Sequence, residues 1–337
     1  MLKKVLILTA STLLLSSTLF LGACSCGFDC NNEDSRGTTV LSLGFSDALP
    51  EDLKQVVLAI DSITFVRTGF ADVVVDNFTI PALNLVSADS FQLDLLDYRG
   101  RNQLVVISGL ALESGNYNQV RIKVLAGDIN RSYVQQADDT LAELTVAGGV
   151  LSLPGASFAR SDQAYTVEFG LAQSLRLETG GARYLMATTG IRLENNATAA
   201  SLSGRVDSAL FDAVSPCSDK ADPTRGNRLY LYQGSPQAGK RLGDVYTAGS
   251  ATTVPADVLA PFAVASLVQN NLTANWEYVF GFLPAGAYTL AFACNTEADG
   301  AVDYNALVVP QPTGQVYSLT LAAGAAVVCD VTPGGSC

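Results

Sequence analysis

Short runs in which apolar and polar residues alternate fill most of the chain after residue 38. In the first half these runs cover 39–45, 56–66, 72–75, 92–96, 103–107, 119–125, 141–146, 150–153, 165–168, 174–178 and 184–193. In the second half they cover 201–206, 228–232, 276–282, 287–293, 306–309, 316–321 and 325–331. They are rich in β-branched residues and are separated by Gly, Asn, Asp and Ser. The pattern predicts an all-β chain.

The spacing of these runs predicts two modules in tandem. A polar stretch at residues 195–198 separates them, so we expect one module over 39–200 and a second over 201–337. Many short strands joined by frequent turns are typical of immunoglobulin-like β-sandwiches. Gly148 and Gly149, between two apolar runs, predict a tight hairpin. Residues 234–271 form a long excursion with little pattern.

One short motif occurs in both modules. Residues 112–117 read Leu-Glu-Ser-Gly-Asn-Tyr, and residues 283–288 read Leu-Pro-Ala-Gly-Ala-Tyr. Gly115 and Gly286 are expected to supply the positive φ of a reversal. Tyr117 and Tyr288 then open strands, and their hydroxyls are placed to bind the backbone as in tyrosine corners. We therefore interpret these four residues as structural.

The first 23 residues have the pattern of a secretory signal peptide. Lys3 and Lys4 precede an apolar run over 5–21 that closes on small residues. The segment Leu-Gly-Ala-Cys at 21–24 resembles the lipobox of bacterial lipoproteins, which implies cleavage before Cys24 and acylation of its thiol, commonly with palmitate-type chains. A retained transmembrane helix is the weaker alternative, because the run is short and precedes a cleavage site.

The resemblance also implies a location. Residues 24–38 are polar and without periodicity, which suits a lipidated tether. Ser25 follows the lipobox cysteine where an aspartate is the usual inner-membrane retention signal in many species. We therefore expect anchoring in the bacterial cell envelope, at the outer membrane, with the membrane as a partner through the lipid on Cys24.

Seven cysteines suggest a disulfide framework. Lipidation of Cys24 leaves six, an even number suited to an oxidising compartment. Six cysteines allow fifteen pairings. Sequence proximity favours Cys26 with Cys30 and Cys329 with Cys337, which leaves Cys217 with Cys294. A thiolate metal cluster is the competing interpretation, but no CxxC pair is present to begin it.

Composition excludes several classes of function. The chain has no histidine, which removes Ser/His/Asp and Cys/His catalysis and His-based zinc sites. The formal net charge is −12, so nucleic acid is not an expected partner. No Lys or Arg follows Arg241, although seven acidic residues do. These acids are expected to form a solubilising surface, with a cationic partner as the alternative.

Three weak candidate sites remain, each with a structural alternative. Residues 295–303 alternate oxygen-bearing side chains around Gly300, as in the first half of a calcium loop, but Ala306 replaces the closing glutamate, so an ordinary polar loop is preferred. The acidic pairs at 138–139 and at 94 and 97 could serve as acid and base, or simply be solvated. The aromatic residues Tyr230, Tyr232, Trp276, Tyr278 and Phe280 could bind a sugar, or form one buried sheet face.

Residues 39 to about 205 resemble a bacterial lipoprotein module known as domain of unknown function 4382. The similarity lies in residues 46–50, 93–96, 119–122, 169–175, 184–185 and 204–206. This chain differs by an inserted Leu49, by Gly170 in place of an aspartate, and by Thr188 and Thr189 where a proline is common. The second module is similar to transthyretin-like or carboxypeptidase-regulatory-like sandwiches, mainly through residues 283–288. The resemblance implies an envelope lipoprotein and no known activity.

Together these observations predict a lipid-anchored envelope protein with a binding or scaffolding role. We expect no enzyme activity, no cofactor and no metal, and a protein or glycan partner. The alternative is an envelope hydrolase built on paired carboxylates, which needs two acidic residues facing each other in a concave site.

Overall fold

A computed structural model describes residues 37–48, 53–178, 180–335 and 337. These residues form strands joined by turns, with only very short helices, which confirms the all-β prediction. The expected signal peptide and the cysteines at 24, 26 and 30 lie outside the described residues. Within the described part, no helix is long and apolar enough to span a membrane.

The elements up to residue 195 are mostly short strands. They are β1 (Thr38–Ala48), β2 (Leu53–Val66), β3 (Val73–Val75), β4 (Phe78–Ile80), β5 (Leu85–Ala88), β6 (Phe91–Asp94), β7 (Leu104–Glu113), β8 (Gly115–Asn116), β9 (Gln119–Val124), β10 (Tyr133–Gln136), β11 (Leu141–Val146), β12 (Val150–Pro154), β13 (Ser157–Phe158), β14 (Gln163–Gly170), α1 (Leu171–Ser174), β15 (Leu175–Leu177), β16 (Arg183–Met186) and β17 (Ile191–Asn195). Single 3-10 turns occupy Pro81–Leu83, Leu95–Asp97 and Ala147–Gly149.

The elements from residue 200 onward are also mostly strands. They are β18 (Ala200–Val206), α2 (Ala209–Asp212), a 3-10 turn at Cys217–Asp219, β19 (Arg228–Gln233), β20 (Arg241–Leu242), β21 (Val258–Leu259), β22 (Ala263–Ser266), β23 (Val268–Gln269), β24 (Trp276–Leu283), β25 (Gly286–Ala293), β26 (Val316–Leu321) and β27 (Ala326–Val328). The apolar run at 306–309, expected to be a strand, is not one.

Two sheets build the N-terminal sandwich. One has the order β17-β14-β1-β7, with β1 parallel to β14 and antiparallel to β7. The other has nine strands arranged around β2. Leu41, Leu43 and Phe45 alternate along β1 and are fully buried, as are Ile63 and Phe65 of β2. These side chains belong to one hydrophobic core. The apolar face of β1 therefore packs the four-stranded sheet against the nine-stranded sheet.

The predicted hairpin at Gly148 and Gly149 is wrong. β11 and β12 do not pair with each other: β11 pairs with β10, and β12 pairs with β9. Because β9 and β10 follow one another along the same edge of β2, the chain from 141 to 154 runs alongside both as one kinked strand. The two glycines, with φ of 66° and 69°, form the kink. The reversal itself lies between β10 and β11, in the turn that contains Asp138 and Asp139.

The predicted strand over 184–193 is two strands in different sheets. β16 pairs with β11 in the nine-stranded sheet, and β17 pairs with β14 in the four-stranded sheet. A turn that includes Gly190, with φ of 78°, carries the chain between them. Apolar patterning alone could not show this crossing, because both strands have the same local composition.

The C-terminal sandwich is likewise built from two sheets, each of four strands. Their orders are β23-β24-β18-β27 and β22-β19-β25-β26. Leu202 and Phe280 of the first sheet and Leu290 of the second belong to the core between them. On the other face of the second sheet, Tyr230 and Tyr232 belong to a separate buried cluster. The second sheet is therefore covered on both faces, which accounts for the near-continuous apolar character of β25.

Both described cysteine pairs are disulfides, and the predicted pairing is confirmed for them. Cys217 is joined to Cys294, with Cα atoms 5.6 Å apart and 77 positions apart in sequence. Cys329 is joined to Cys337. In the chain-entropy model a loop as long as the first contributes about 4–5 kcal/mol to stability. It ties the connection after α2 to the end of β25.

The two glycine-tyrosine motifs each carry the chain from one sheet of a sandwich to the other. The Tyr117 hydroxyl donates to the Glu113 carbonyl at 3.1 Å, and the Tyr288 hydroxyl donates to the Pro284 carbonyl at 2.8 Å. Both bonds reach back four residues, and both rings are buried. This is the geometry of a tyrosine corner.

The two glycines of these motifs differ. Gly115 has φ of 145°, as expected for the reversal. Gly286 is not among the residues with positive φ, so that expectation is wrong for the second motif. There the unusual backbone lies earlier, at Phe282, with φ of 41°. Pro284 follows and restricts the residue before it, which places the bend upstream of the glycine.

Residues Gly37–Cys337 form one compact unit, because the two sandwiches pack against each other. We call this contact the junction. β24 lies across β1, β14 and β17 of the four-stranded sheet. A Cβ atom on Gly281 would lie 1.8 Å from the Gly100 carbonyl oxygen, so the two backbones touch only because position 281 has no side chain. The Gln173 amide also donates to the Pro261 carbonyl across the junction, at 3.0 Å. The module boundary near residue 200 stays a prediction.

We expect Gly281→Ala to weaken the junction. The added methyl group would overlap backbone, which cannot rotate away, and overpacking of this kind costs about 1–3 kcal/mol. Urea unfolding should show that loss, and proteinase K should cut the connection at 195–200 faster than in the parent. Gly300→Ala is the matched control, since no atom lies within 4 Å of its added Cβ. Equal stability and equal protease resistance of both variants would contradict the assignment.

Candidate functional site

A groove of about 890 Å³ lies between the two sandwiches. The N-terminal sandwich lines it with the β10–β11 turn, α1, and the β15 and β16 strands. The C-terminal sandwich lines it with Arg228, residues 299–303 and Asn305. Clefts between packed units are preferred positions for ligand sites. The groove contains acidic residues from two of the candidate segments, Asp138 from the pair at 138–139 and Asp299 and Asp303 from the calcium-loop pattern.

The acidic pair Asp138 and Asp139 forms the β10–β11 turn. An Asp138 carboxylate oxygen accepts the Thr140 N–H at 3.0 Å, and this hydrogen bond lowers the pKa of Asp138. Asp139 has φ of 69°, a conformation that aspartate tolerates better than most residues. Its carboxylate accepts from the Lys54 ammonium at 2.7 Å. Both carboxylates therefore stabilise a turn.

Asp299 is the most buried carboxylate of the groove, with a side chain that is 0% exposed. One oxygen accepts the Tyr230 hydroxyl at 2.5 Å and lies 3.4 Å from the Arg228 guanidinium. The other accepts the Val245 N–H at 3.1 Å. Burial raises the pKa of Asp299 to about 6, although Arg228 and these hydrogen bonds oppose the shift. Asp299 thus ties its own loop to β19 and to the excursion after β20.

Asp244 also holds loop segments together by accepting hydrogen bonds from backbone N–H groups. One carboxylate oxygen accepts the N–H groups of Asn305 and Leu307, at 3.0 and 2.9 Å. The residue is fully buried, and burial raises the pKa of its carboxyl. Its negative charge also contributes to the raised pKa of Asp299.

The expectation of an acidic surface after Arg241 is therefore wrong for Asp244 and Asp299. Three further acids in this region bind neighbouring groups: Asp257 pairs with Arg241 at 2.6 Å, Asp303 accepts the Ala251 N–H, and Glu277 accepts from the Asn270 amide. With few cations in reach, N–H and O–H donors satisfy the carboxylates. The sequence could not distinguish this from a solvated surface.

The aspartates of the calcium-loop pattern at 295–303 also bind donors of the protein itself. The two aspartates of the pattern, Asp299 and Asp303, accept hydrogen bonds from Val245 and Ala251. Among the described residues, no group of three or more His, Cys, Asp or Glu side chains could hold a metal ion. The pattern is accounted for by an ordinary polar loop held by aspartate hydrogen bonds.

The aromatic face proposed for sugars is interior. Tyr230, Tyr232, Tyr278 and Phe280 are all buried. The Tyr232 hydroxyl donates to the Gly243 carbonyl at 2.5 Å, and the Tyr278 hydroxyl donates to the Cys329 carbonyl at 2.7 Å. Only Trp276 is partly accessible, and its ring packs edge-on against Phe211. The four buried rings stabilise the core and cannot stack on a glycan.

The junction contains a carboxylate that sequence reasoning did not single out. Glu168 lies on β14 between Ser46 of β1 and Arg192 of β17, and is 1% exposed. Burial raises its pKa to about 7, with Arg192 opposing the shift. The Arg192 guanidinium lies 3.4 Å from Glu194 and 4.8 Å from the centre of the Phe262 ring, which belongs to the C-terminal sandwich. One signal was available: an acid within an apolar strand run.

Residues 38–187 match the family model described as a domain of unknown function (DUF4382). This confirms the resemblance inferred for the first module. The transthyretin-like assignment of the second module stays a prediction. A search of curated proteins found no match.

Several solved structures are similar over most of the chain. A candidate cell adhesion protein from Bacteroides fragilis is 8% identical, with 88% of this chain and 93% of that chain covered and a TM-score of 0.21. The major pilin subunit of Bacillus cereus is 9% identical, with 88% and 70% covered and a TM-score of 0.19. A minor pilin of Streptococcus agalactiae is 10% identical, with 86% and 94% covered and a TM-score of 0.18.

We expect the protein to lose stability as the pH rises from about 4.5 to about 7. Glu168 has a higher pKa in the folded chain than its usual 4.5, so the folded state binds more protons across this range. The shift corresponds to a fall of about 3 kcal/mol in the free energy of unfolding, complete above pH 7. Asp299 adds a fall in the same direction between about pH 4 and pH 6.

Glu168→Gln should remove most of the decrease in the free energy of unfolding above pH 6, because the amide does not titrate. Urea unfolding at several pH values between 4 and 8 measures this. Glu113→Gln is the control, since the Glu113 side chain is 54% exposed beside Arg67. An unchanged pH dependence in Glu168→Gln would show that the buried carboxyl does not govern junction stability.

Proposed function

We propose that this chain is a lipid-anchored protein of the bacterial cell envelope that binds or scaffolds a partner without catalysis, and that the groove is its binding surface. One observation supports this most directly. The four carboxylates that line the groove, those of Asp138, Glu178, Asp299 and Asp303, all bind protein groups. Glu178 pairs with Arg183 at 3.1 Å, and the other three accept the hydrogen bonds described above.

The alternative, an envelope hydrolase, needs two carboxylates that a substrate can reach. Asp244 and Asp299 are the strongest candidates for such a pair, because burial raises the pKa of both carboxyls. The negative charge of Asp244 also contributes to the raised pKa of Asp299. Both are fully buried, and their hydrogen bonds hold three loop segments together. Removing either would dismantle the groove wall, which is the behaviour of structural groups. The geometry therefore favours binding.

The groove suits a polar partner. Arg176, Arg183 and Arg228 alternate around it with the acidic residues, and apolar side chains such as Tyr184 and Leu177 lie between them. A lining of this kind matches a protein segment or a glycan better than a lipid, because both signs of charge are present. The two sandwiches would present this surface as one unit, since they pack against each other at the junction.

The anchor is proposed from the sequence. Cleavage before Cys24 and acylation of its thiol would place the sandwiches beyond a short tether at residues 24–38, most simply at the outer membrane. In this proposal the modules extend over 39–200 and 201–337.

Cys24→Ser should release the protein from membranes. A single acyl chain binds only marginally, so stable anchoring depends on the multiple chains that the cysteine accepts. Membrane fractionation and uptake of labelled palmitate, compared with the parent chain, measure the effect. Retention of both label and membrane association in the variant would rule out the lipoprotein assignment.

A photo-crosslinking amino acid in place of Arg176 should capture the partner in intact cells. Arg176 is exposed and lines the groove, so a bound protein or glycan would lie within reach. The control is the same residue at Leu272, which is 96% exposed and outside the groove. We expect a discrete crosslinked species only from position 176. Identical patterns from both positions would contradict the groove as a binding surface.

A further inference from the structure

A second pocket, of about 450 Å³, lies at the edge of the junction away from the groove residues. The N-terminal sandwich contributes Asp47 and Arg99 to its lining. The C-terminal sandwich contributes parts of β18, β22, β23 and β24 and the segment after β27. Its volume is within the range of pockets that hold small organic molecules. None of its lining residues also lines the groove.

The pocket has an apolar wall. Val268, Val279 and Val328 line it together with the buried residues Ala265 and Tyr278. Val328 is 68% exposed and Val268 is 38% exposed, which is unusual for valines that flank a concave site. A ligand with an apolar body would remove this surface from water.

The polar groups of the pocket differ in whether they already have partners. Three acids line the pocket: Asp47, Glu277 and Asp330. Asp47 is fully buried, Asp330 accepts the Arg205 N–H at 2.9 Å, and Glu277 accepts from the Asn270 amide at 3.2 Å. Arg99 donates through Nε to the Leu96 carbonyl at 2.6 Å, and within the described residues neither Arg99 nor Arg205 forms an ion pair.

A buried hydroxyl adds a second indication. Ser266 lines the pocket, is 4% exposed, and its Oγ has no hydrogen-bond partner within the described part of the chain. An orphan polar atom of this kind costs stability unless something else binds it. Beside its apolar wall the pocket thus has one hydroxyl and two guanidinium groups that form no ion pair within the described residues, together with the three carboxylates.

We propose that this pocket binds a small organic anion with an apolar body, such as a carboxylate or a sulfonate. Arg99 and Arg205, one from each sandwich, would hold the anionic group, and the valines would cover the apolar part. Charge-assisted hydrogen bonds from guanidinium groups are the strong type. The site is independent of the groove and of the anchor, so either proposal can fail without the other.

The test uses two fluorescent probes that differ in charge. Anilinonaphthalene sulfonate is an apolar anion, and N-phenylnaphthylamine is its neutral counterpart. We expect the sulfonate to bind the full mature chain at a single saturable site. The double variant Arg99→Gln/Arg205→Gln should bind it about tenfold more weakly, corresponding to the loss of a charge-assisted contact. Binding of the neutral probe should change less than twofold.

Two controls keep the test decisive. Arg131→Gln removes an arginine that is 55% exposed and lines neither the pocket nor the groove, and should leave sulfonate binding unchanged. The single variants Arg99→Gln and Arg205→Gln should each weaken sulfonate binding several-fold, which covers the case in which the double variant fails to fold. Absent or unsaturable binding of the sulfonate, or equal loss of both probes in the arginine variants, would overturn the proposal.

Discussion

The close approach of Gly281 to the backbone at Gly100 is the contact on which the arrangement of the two sandwiches depends. Because position 281 carries no side chain, β24 can lie directly across the four-stranded sheet of the N-terminal sandwich. This buries the outer face of that sheet, including Ser46 and Glu168, which would face water in an isolated sandwich. Both the groove and the smaller pocket are formed from residues of the two sandwiches, so each exists only while this contact is made.

Buried carboxylates are the second constraint. A carboxylate transferred from water to a protein interior is stable only when donors replace the lost hydration. Asp244 and Asp299 receive backbone N–H groups and a tyrosine hydroxyl, and they hold together loops with little regular structure. Within the described residues, one oxygen of Glu168 and one oxygen of Asp244 have no hydrogen-bond partner, and burial raises the pKa of Glu168 to about 7, above that of Asp299. The acidity of the chain thus organises its interior as well as its surface.

Local sequence signals located several parts of the structure. Alternation of apolar residues predicted the strands of both halves, since a half-buried strand requires a period of two. Cysteine spacing favoured the pairing of Cys217 with Cys294, which the structure confirms. The motif spacing placed Tyr117 and Tyr288 at corners, and their hydroxyls bind carbonyls four residues earlier. Each of these features depends on residues close together in sequence or on a covalent bond.

The pairing of strands and the environment of each charge were decided only by the tertiary structure. Gly148 and Gly149 have the composition of a hairpin, yet they kink a strand, because the strands on either side pair with β10 and β9 and not with each other. Asp244 and Asp299 read as surface residues, yet they are buried, because donors from distant segments converge on them. The sequence alone determined the all-β class and most of the strand positions. The junction, the groove and the raised pKa values depend on contacts between residues far apart in the chain, for which no local pattern exists.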